Sequence, residues 1–278
     1  MIAPLKTQGI SLPRLGLGTF RMQGAACQKA VESALALGYR HIDTAEMYAN
    51  EEAVGAAIAA SGIARSDLHV TTKVWHDHLA PDAIARALDG SLQRLRLDHV
   101  DLYLVHWPAK DMDLPTTLAA LTRSGEEGKT RATGVANFTL PMLRQVIEEI
   151  GAPIACNQVE YHVFLDQKPM LGYLRSKAIP LIAYCPLAQG QAAESDALAQ
   201  IGSKHGVSAA QVALAWLFDQ EGVVAIPKAG RAGSQRANLD ALSLALDDED
   251  RQVIRSLPKR QRLVNPPFAP RWDKPIAE

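Results

Sequence analysis

At 278 residues the chain suits either one large α/β barrel, which can run to about 250 residues as a single unit, or two ordinary domains. Hydrophobic residues make up 47% of it, enough for a sizeable core, while a formal net charge of −1 with no basic block argues against a nucleic-acid partner. No apolar run approaches the ~20 residues of a spanning helix. The start, Met1-Ile2-Ala3-Pro4-Leu5-Lys6, has no signal-peptide pattern, and Cys27, Cys156 and Cys185 show neither paired nor zinc spacing. The expectation is a cytoplasmic protein of a reducing compartment, with no membrane contact and no metal.

Lys6 to Leu12 reads as a short hairpin with Gly9 in its turn. Leu15 to Gly18 is the first strand of a larger sheet, its glycines allowing close backbone approach. Ala25 to Leu37 is a helix stopped by Gly38. His41 to Asp43 is the next strand, and Glu51 to Ala60 an alanine-rich helix closed by Gly62. His69 to Lys73 is a strand. Pro81 opens a helix whose Ile84, Leu88, Leu92 and Leu95 form one apolar stripe. A strand then runs from Val100 up to His106.

Helix is expected over Leu114 to Ser124, Leu140 to Ile150, Lys168 to Lys177, Leu198 to Lys204, Ser208 to Phe218, Ala237 to Leu242 and Asp248 to Ser256. Strands are expected at Thr130 to Val135, Ile154 to Val159, Pro180 to Ala183 and Val223 to Ile226. These make eight β-then-α units, which predict a parallel sheet. No linker divides the chain, so residues 1–278 are read as one domain. The proline-rich tail after Leu257 is expected to lie as an arm near any pocket.

Three strands end on polar residues: Asp43, with Tyr48 just beyond it, Lys73, and His106. If the sheet closes into a barrel, all strand C-terminal ends open on one face, where such folds keep their active sites. Asp43, Tyr48, Lys73 and His106 then converge as a set for proton transfer. Lys73 lowers the pKa of the Tyr48 phenol, Asp43 holds Lys73, and neutral His106 donates a hydrogen bond to a substrate oxygen. Such a set suits a carbonyl whose oxygen becomes negative as hydride attacks its carbon. The bland reading is an Asp–Lys pair steadying the barrel beside an unrelated tyrosine and histidine.

The stretch Gly38-Tyr39-Arg40-His41-Ile42-Asp43-Thr44-Ala45-Glu46-Met47-Tyr48 resembles the aldo-keto reductase signature, as do Thr72-Lys73-Val74-Trp75 and Leu104-Val105-His106-Trp107-Pro108. The resemblance runs from Gly16-Leu17-Gly18-Thr19 to the Arg262-Leu263-Val264-Asn265-Pro266 tail, and is nearest to the bacterial diketogluconate and methylglyoxal reductase branch. It implies a (β/α)8 barrel, with an N-terminal hairpin and a C-terminal arm, that uses NADPH without metal. The family's catalytic tetrad falls on Asp43, Tyr48, Lys73 and His106. Asn137 and Gln158 match the amides that hold the nicotinamide carboxamide, and Tyr184 the aromatic stacked on its ring. Gly18, Thr19, Phe20, Asp43, Leu187 and Gln189 join the cofactor set. Lys228 is assigned to the adenosine phosphate and Asn238 to adenine, with Arg231 or Arg236, both out of register, as the substitute for the family's arginine contact.

Two departures stand out: Ala136 replaces the usual serine before Asn137, and Ala229 and Ser234 replace the usual serine and arginine after Lys228. They leave NADPH the expected cofactor, with NADH as a weaker one. Phe20, Trp75, Trp107 and Trp272 are candidates for an apolar substrate wall. The implied activity is reduction of small aldehydes and ketones, dicarbonyls and keto-sugars included, by a monomer. A cofactor-sensing regulatory subunit of the same fold is the alternative. A metal-dependent barrel hydrolase needs more ligands than His106 and Asp43 offer.

Overall fold

The computed structural model describes residues 2–273; the rest of the tail, 274–278, lies outside them. Strands β1 (Leu5–Thr7) and β2 (Ile10–Leu12) form the antiparallel hairpin. Gln8 and Gly9 turn it with positive φ of 42° and 76°, the geometry a two-residue hairpin turn needs.

The barrel strands follow as β3 (Leu17–Gly18), β4 (His41–Asp43), β5 (His69–Val74), β6 (Val100–Val105), β7 (Thr130–Ala136), β8 (Ile154–Glu160), β9 (Leu181–Tyr184) and β10 (Val223–Ala225). They lie side by side in chain order and pair in parallel. The ring closes where Leu15 bridges Ala225 and the Gly16 amide donates to Ala225 O at 2.9 Å. This is a (β/α)8 barrel.

Gly18 belongs to that closure, because a Cβ there would sit 2.6 Å from Ile226 O. Arg14 secures the same seam. Its buried guanidinium donates to the carbonyls of Val223 (2.5 Å), Phe218 (2.7 Å) and Gln220 (3.0 Å).

Between the strands run α1 (Gly24–Leu37), α2 (Glu51–Ala60), α3 (Pro81–Leu95), α4 (Leu114–Glu126), α5 (Leu140–Arg144), α6 (Lys168–Ser176), α7 (Asp196–His205) and α8 (Ala209–Phe218), and after the last strand come α9 (Ala232–Asp240) and α10 (Asp248–Ser256). The α3 stripe of Ile84, Leu88, Leu92 and Leu95 is buried against the sheet as its spacing requires. Helices α2 and α3 meet closely at Gly55, where a Cβ would lie 2.2 Å from Leu95 O.

Two helices differ from expectation. The segment from Leu140 leaves α-geometry after Arg144 and finishes as a π-turn over Gln145–Glu149. Helix α9 starts at Ala232 rather than Ala237; Gly233 and Ser234, poor helix formers inside its first turn, hid that start from the sequence.

Candidate active site

The parallel register aligns the ends of three neighbouring strands. Asp43 closes β4 and pairs with Thr71, Lys73 sits one residue from the end of β5, and the His106 amide donates to Val74 O at 3.0 Å just past β6. Tyr48 enters from the 3-10 turn Glu46–Tyr48 that follows β4. The four side chains predicted to converge do so. Lys73 Nζ donates to Asp43 Oδ1 (2.5 Å) and Thr44 O (2.7 Å), and lies 3.5 Å from the Tyr48 hydroxyl. The second Asp43 oxygen accepts from Gln158 Nε2 at 2.8 Å. The Tyr48 and His106 rings meet edge to face, 5.5 Å between centroids.

Electrostatics correct one expectation. The Tyr48 phenol is pushed well above its ordinary value, by burial first and then by the Asp43 carboxylate. The Lys73 ammonium, 3.5 Å away and shared with Asp43, does not outweigh these two effects. Tyr48 therefore holds its proton firmly at neutral pH. Burial pushes the Lys73 ammonium down, and Asp43 opposes the shift. His106 is held well below the usual imidazole range by burial and by the Lys73 charge, so it is neutral; its Nδ1 is buried without a partner.

The two amides are braced as well as available. Asn137 takes a left-handed backbone (φ 63°), donates from Nδ2 to His106 O (2.9 Å) and accepts the Tyr184 hydroxyl on Oδ1 (2.7 Å). Each amide carries a carbonyl oxygen with two lone pairs and an NH2 with two hydrogens. Asn137, Gln158 and the half-buried Tyr184 ring thus fit a flat ring bearing a carboxamide. Around them Cys185, Ala188 and Gln189 also have positive φ, of 49°, 48° and 55°. Backbone in this sparsely populated region recurs at ligand-binding loops.

Thr19 is buried and donates twice to Asp43 O, from its amide and its hydroxyl, each at 3.0 Å. Leu187 is half-buried and Gln189 exposed on the loop after β9. Lys228 and Arg231 are exposed on the loop between β10 and α9, and Lys228 Nζ reaches Arg21 O at 3.4 Å. Asn238 is buried on α9, the helix whose Gln235 O accepts the Tyr39 hydroxyl at 3.0 Å.

The four candidate wall residues separate into two groups. Phe20 is exposed and lies 5.0 Å from the Tyr48 ring, and Trp75 stands 5.2 Å from His106. Trp107 is buried behind them, and Trp272 packs 6.0 Å from Trp107 beneath the Arg262 guanidinium. Sequence reasoning missed Phe268, whose ring contacts Trp75 and Trp107 (5.5 Å each) and His76 (4.4 Å). Its proline-flanked setting gave no periodicity to mark it. Glu46 was missed too: it accepts the Trp75 amide and approaches His78 Nδ1 at 3.1 Å. Among the described residues, the one cluster with metal-like spacing, His205, Asp247 and Asp250, lies on α7 and at the start of α10. Lys204 Nζ sits within it, at 2.5 Å from Asp247 and 3.0 Å from Asp250.

The Aldo/keto reductase family model matches residues 14–259. A methylglyoxal reductase, DkgB of Escherichia coli O157:H7, is 41% identical over 268 residues, covering 95% of this chain and 100% of that protein. A glyoxal reductase of Bacillus subtilis (strain 168) is 41% identical over 256 residues, 92% of each chain. The crystal structure of a candidate 2,5-diketo-D-gluconic acid reductase B superposes with a TM-score of 0.95 at 41% identity, over 99% of this chain and 98% of that one. An aldo-keto reductase from a Medee basin deep-sea metagenome library superposes at 0.90 with 37% identity, over 96% and 98%. With a family model spanning the barrel and relatives of this identity along nearly their whole length, the chain belongs to the aldo/keto reductase family.

Proposed function

We propose that the protein reduces small aldehydes and ketones, α-dicarbonyls foremost, with hydride from NADPH and a proton from Tyr48. One observation carries the reading: Asp43, Lys73, Tyr48 and His106 meet at one barrel mouth, with a protonated phenol beside a buried ion pair. NADPH, when bound, supplies the hydride; Asn137, Gln158 and Tyr184 would hold its nicotinamide ring. Neutral His106 orients the carbonyl oxygen. As negative charge builds on that oxygen, Tyr48 transfers its proton, and Lys73 stabilises the phenolate left behind. Asp43 keeps Lys73 charged and in place. The names of the glyoxal and methylglyoxal reductase relatives support dicarbonyls as substrates. The reading includes a monomer in the cytoplasm acting on small molecules alone. NADPH oxidation driven by methylglyoxal in the presence of a chelator tests it, and no oxidation would refute it.

Cofactor choice gives a separate expected result. The 2′-phosphate of NADPH carries nearly two negative charges, and Lys228 stands exposed on the loop where that group is expected. A hydrogen bond to a charged group is worth ~1.5–3 kcal/mol, or roughly tenfold to a hundredfold in affinity. Lys228→Ala should weaken NADPH by that factor and NADH far less. Wild-type NADPH binding should also weaken with salt. Titrations of both cofactors by quenching of tryptophan fluorescence decide it. Equal weakening of the two would assign Lys228 to the pyrophosphate or to the loop itself.

A further inference from the structure

Glu160 closes β8 two residues after Gln158, so both side chains leave the same side of the strand. Gln158 braces Asp43, whereas Glu160 has no part in the chemistry proposed above, yet its side chain is fully buried. Every donor it meets is placed. Oε1 accepts from the Leu263 amide (2.7 Å) and from His162 Nε2 (3.0 Å), and Oε2 accepts from the Val264 amide (3.0 Å), with Arg262 Nη1 at 3.7 Å. His162 Nδ1 accepts the Phe164 amide at 3.2 Å, so the ring's proton belongs on Nε2 and the neutral imidazole already donates to the carboxylate.

The chain leaving this clasp has no regular secondary structure. Immediately before it, Gln261 N donates to Phe164 O and Asp166 N to Lys259 O, each at 2.9 Å, which ties the root of the tail to the loop after β8. Beyond it, Trp272 Nε1 donates to Asn265 Oδ1 at 2.8 Å, and Phe268 reaches across to Trp75, His76 and Trp107. On the barrel side, Glu160 pairs in register with Tyr184. One strand end therefore supports the catalytic floor and the aromatic cover together.

We propose that Glu160 is a positioning residue for substrate selection: by holding the Leu263 and Val264 amides it fixes Phe268 and Trp272 over the pocket mouth. The inference rests on the reading of that mouth as a carbonyl-reduction site. An aromatic aldehyde long enough to reach Phe268 gains from the fixed wall. A three-carbon dicarbonyl, held at the tetrad, does not.

Glu160→Gln keeps the shape but turns an NH2 group toward donors that need an acceptor. Exchange of the amides around Leu263 and Val264 should speed up by on the order of tenfold or more. KM for benzaldehyde should rise roughly threefold to tenfold, the scale of one aromatic contact. Its kcat, and both constants for methylglyoxal, should hold. Phe268→Ala should reproduce the KM change with the Leu263 and Val264 amides still protected, and the double variant should show no further rise.

If the buried amide unfolds the barrel, Leu263→Pro deletes the same hydrogen bond from the tail side. Unchanged tail exchange in a folded variant would overturn the clasp, as would equal losses with both aldehydes or additive effects of the two substitutions. Hydrogen exchange needs no turnover, so the two readings fail separately. Wild type inactive on both aldehydes sinks the reductase reading and the selectivity claim with it. Active wild type with unaltered exchange in the variants sinks the clasp alone.

Discussion

Tyr48→Phe should lower dicarbonyl turnover by ~10²–10⁴-fold, the usual worth of a positioned general acid, and leave NADPH affinity nearly unchanged. The substitution keeps the ring, which packs 5.0 Å from Phe20 and 5.5 Å from His106, and removes only the hydroxyl beside Lys73. Steady-state kinetics and a cofactor titration on the same preparation separate the two effects. Retention of more than about a tenth of wild-type turnover would remove Tyr48 from the role of acid. The pH profile carries the same claim. His106 is neutral and Tyr48 protonated throughout the neutral range, both for reasons of burial. The reduction rate should therefore be flat there, and a limb with an ordinary histidine pKa near 6.5 would contradict the account.

Lys73→Met acts on activity and stability together. The ammonium is fully buried, with Asp43 as its ionic partner at 2.5 Å. Removing it leaves a buried carboxylate with Gln158 as its remaining side-chain donor. Breaking a buried pair in this way costs ~3–5 kcal/mol, which in a chain of this size lowers Tm by roughly 5–10 °C. Turnover should fall as well, because the phenolate formed when Tyr48 gives up its proton loses the neighbouring cation. Asp43→Asn should be milder in activity, since Lys73 and its bond to Thr44 O remain. Calorimetry and a pH–rate profile of Lys73→Met check the account. Unchanged melting with an unchanged profile would show the pair to be uncoupled from both folding and catalysis.

The strand ends were legible in the sequence because each short strand carries a polar residue at or next to its C-terminal end. Asp43, Lys73 and His106 could be placed on one face from that pattern and the α/β alternation. Helix α2 was legible to its boundaries, and α3 by its stripe. What the sequence hid was set by tertiary context. The π-turn after Arg144 has no composition of its own. The positive φ values at Cys185, Ala188 and Gln189 fall on residues that do not announce them. The Glu160 clasp joins residues more than a hundred positions apart, so no local pattern records it. The direction of the Tyr48 shift was not legible, because it depends on burial, which outweighs a Lys73 charge shared with Asp43.

The most direct test of the central claim follows the transferred hydrogen. Purified protein is given methylglyoxal and NADPH carrying deuterium at the reactive C4 position of the nicotinamide, with a chelator present. The account predicts one deuterium on the new carbinol carbon for each NADPH oxidised, and a rate that collapses in Tyr48→Phe. Alcohol formed without deuterium, NADPH left unconsumed, or full activity in Tyr48→Phe would contradict it.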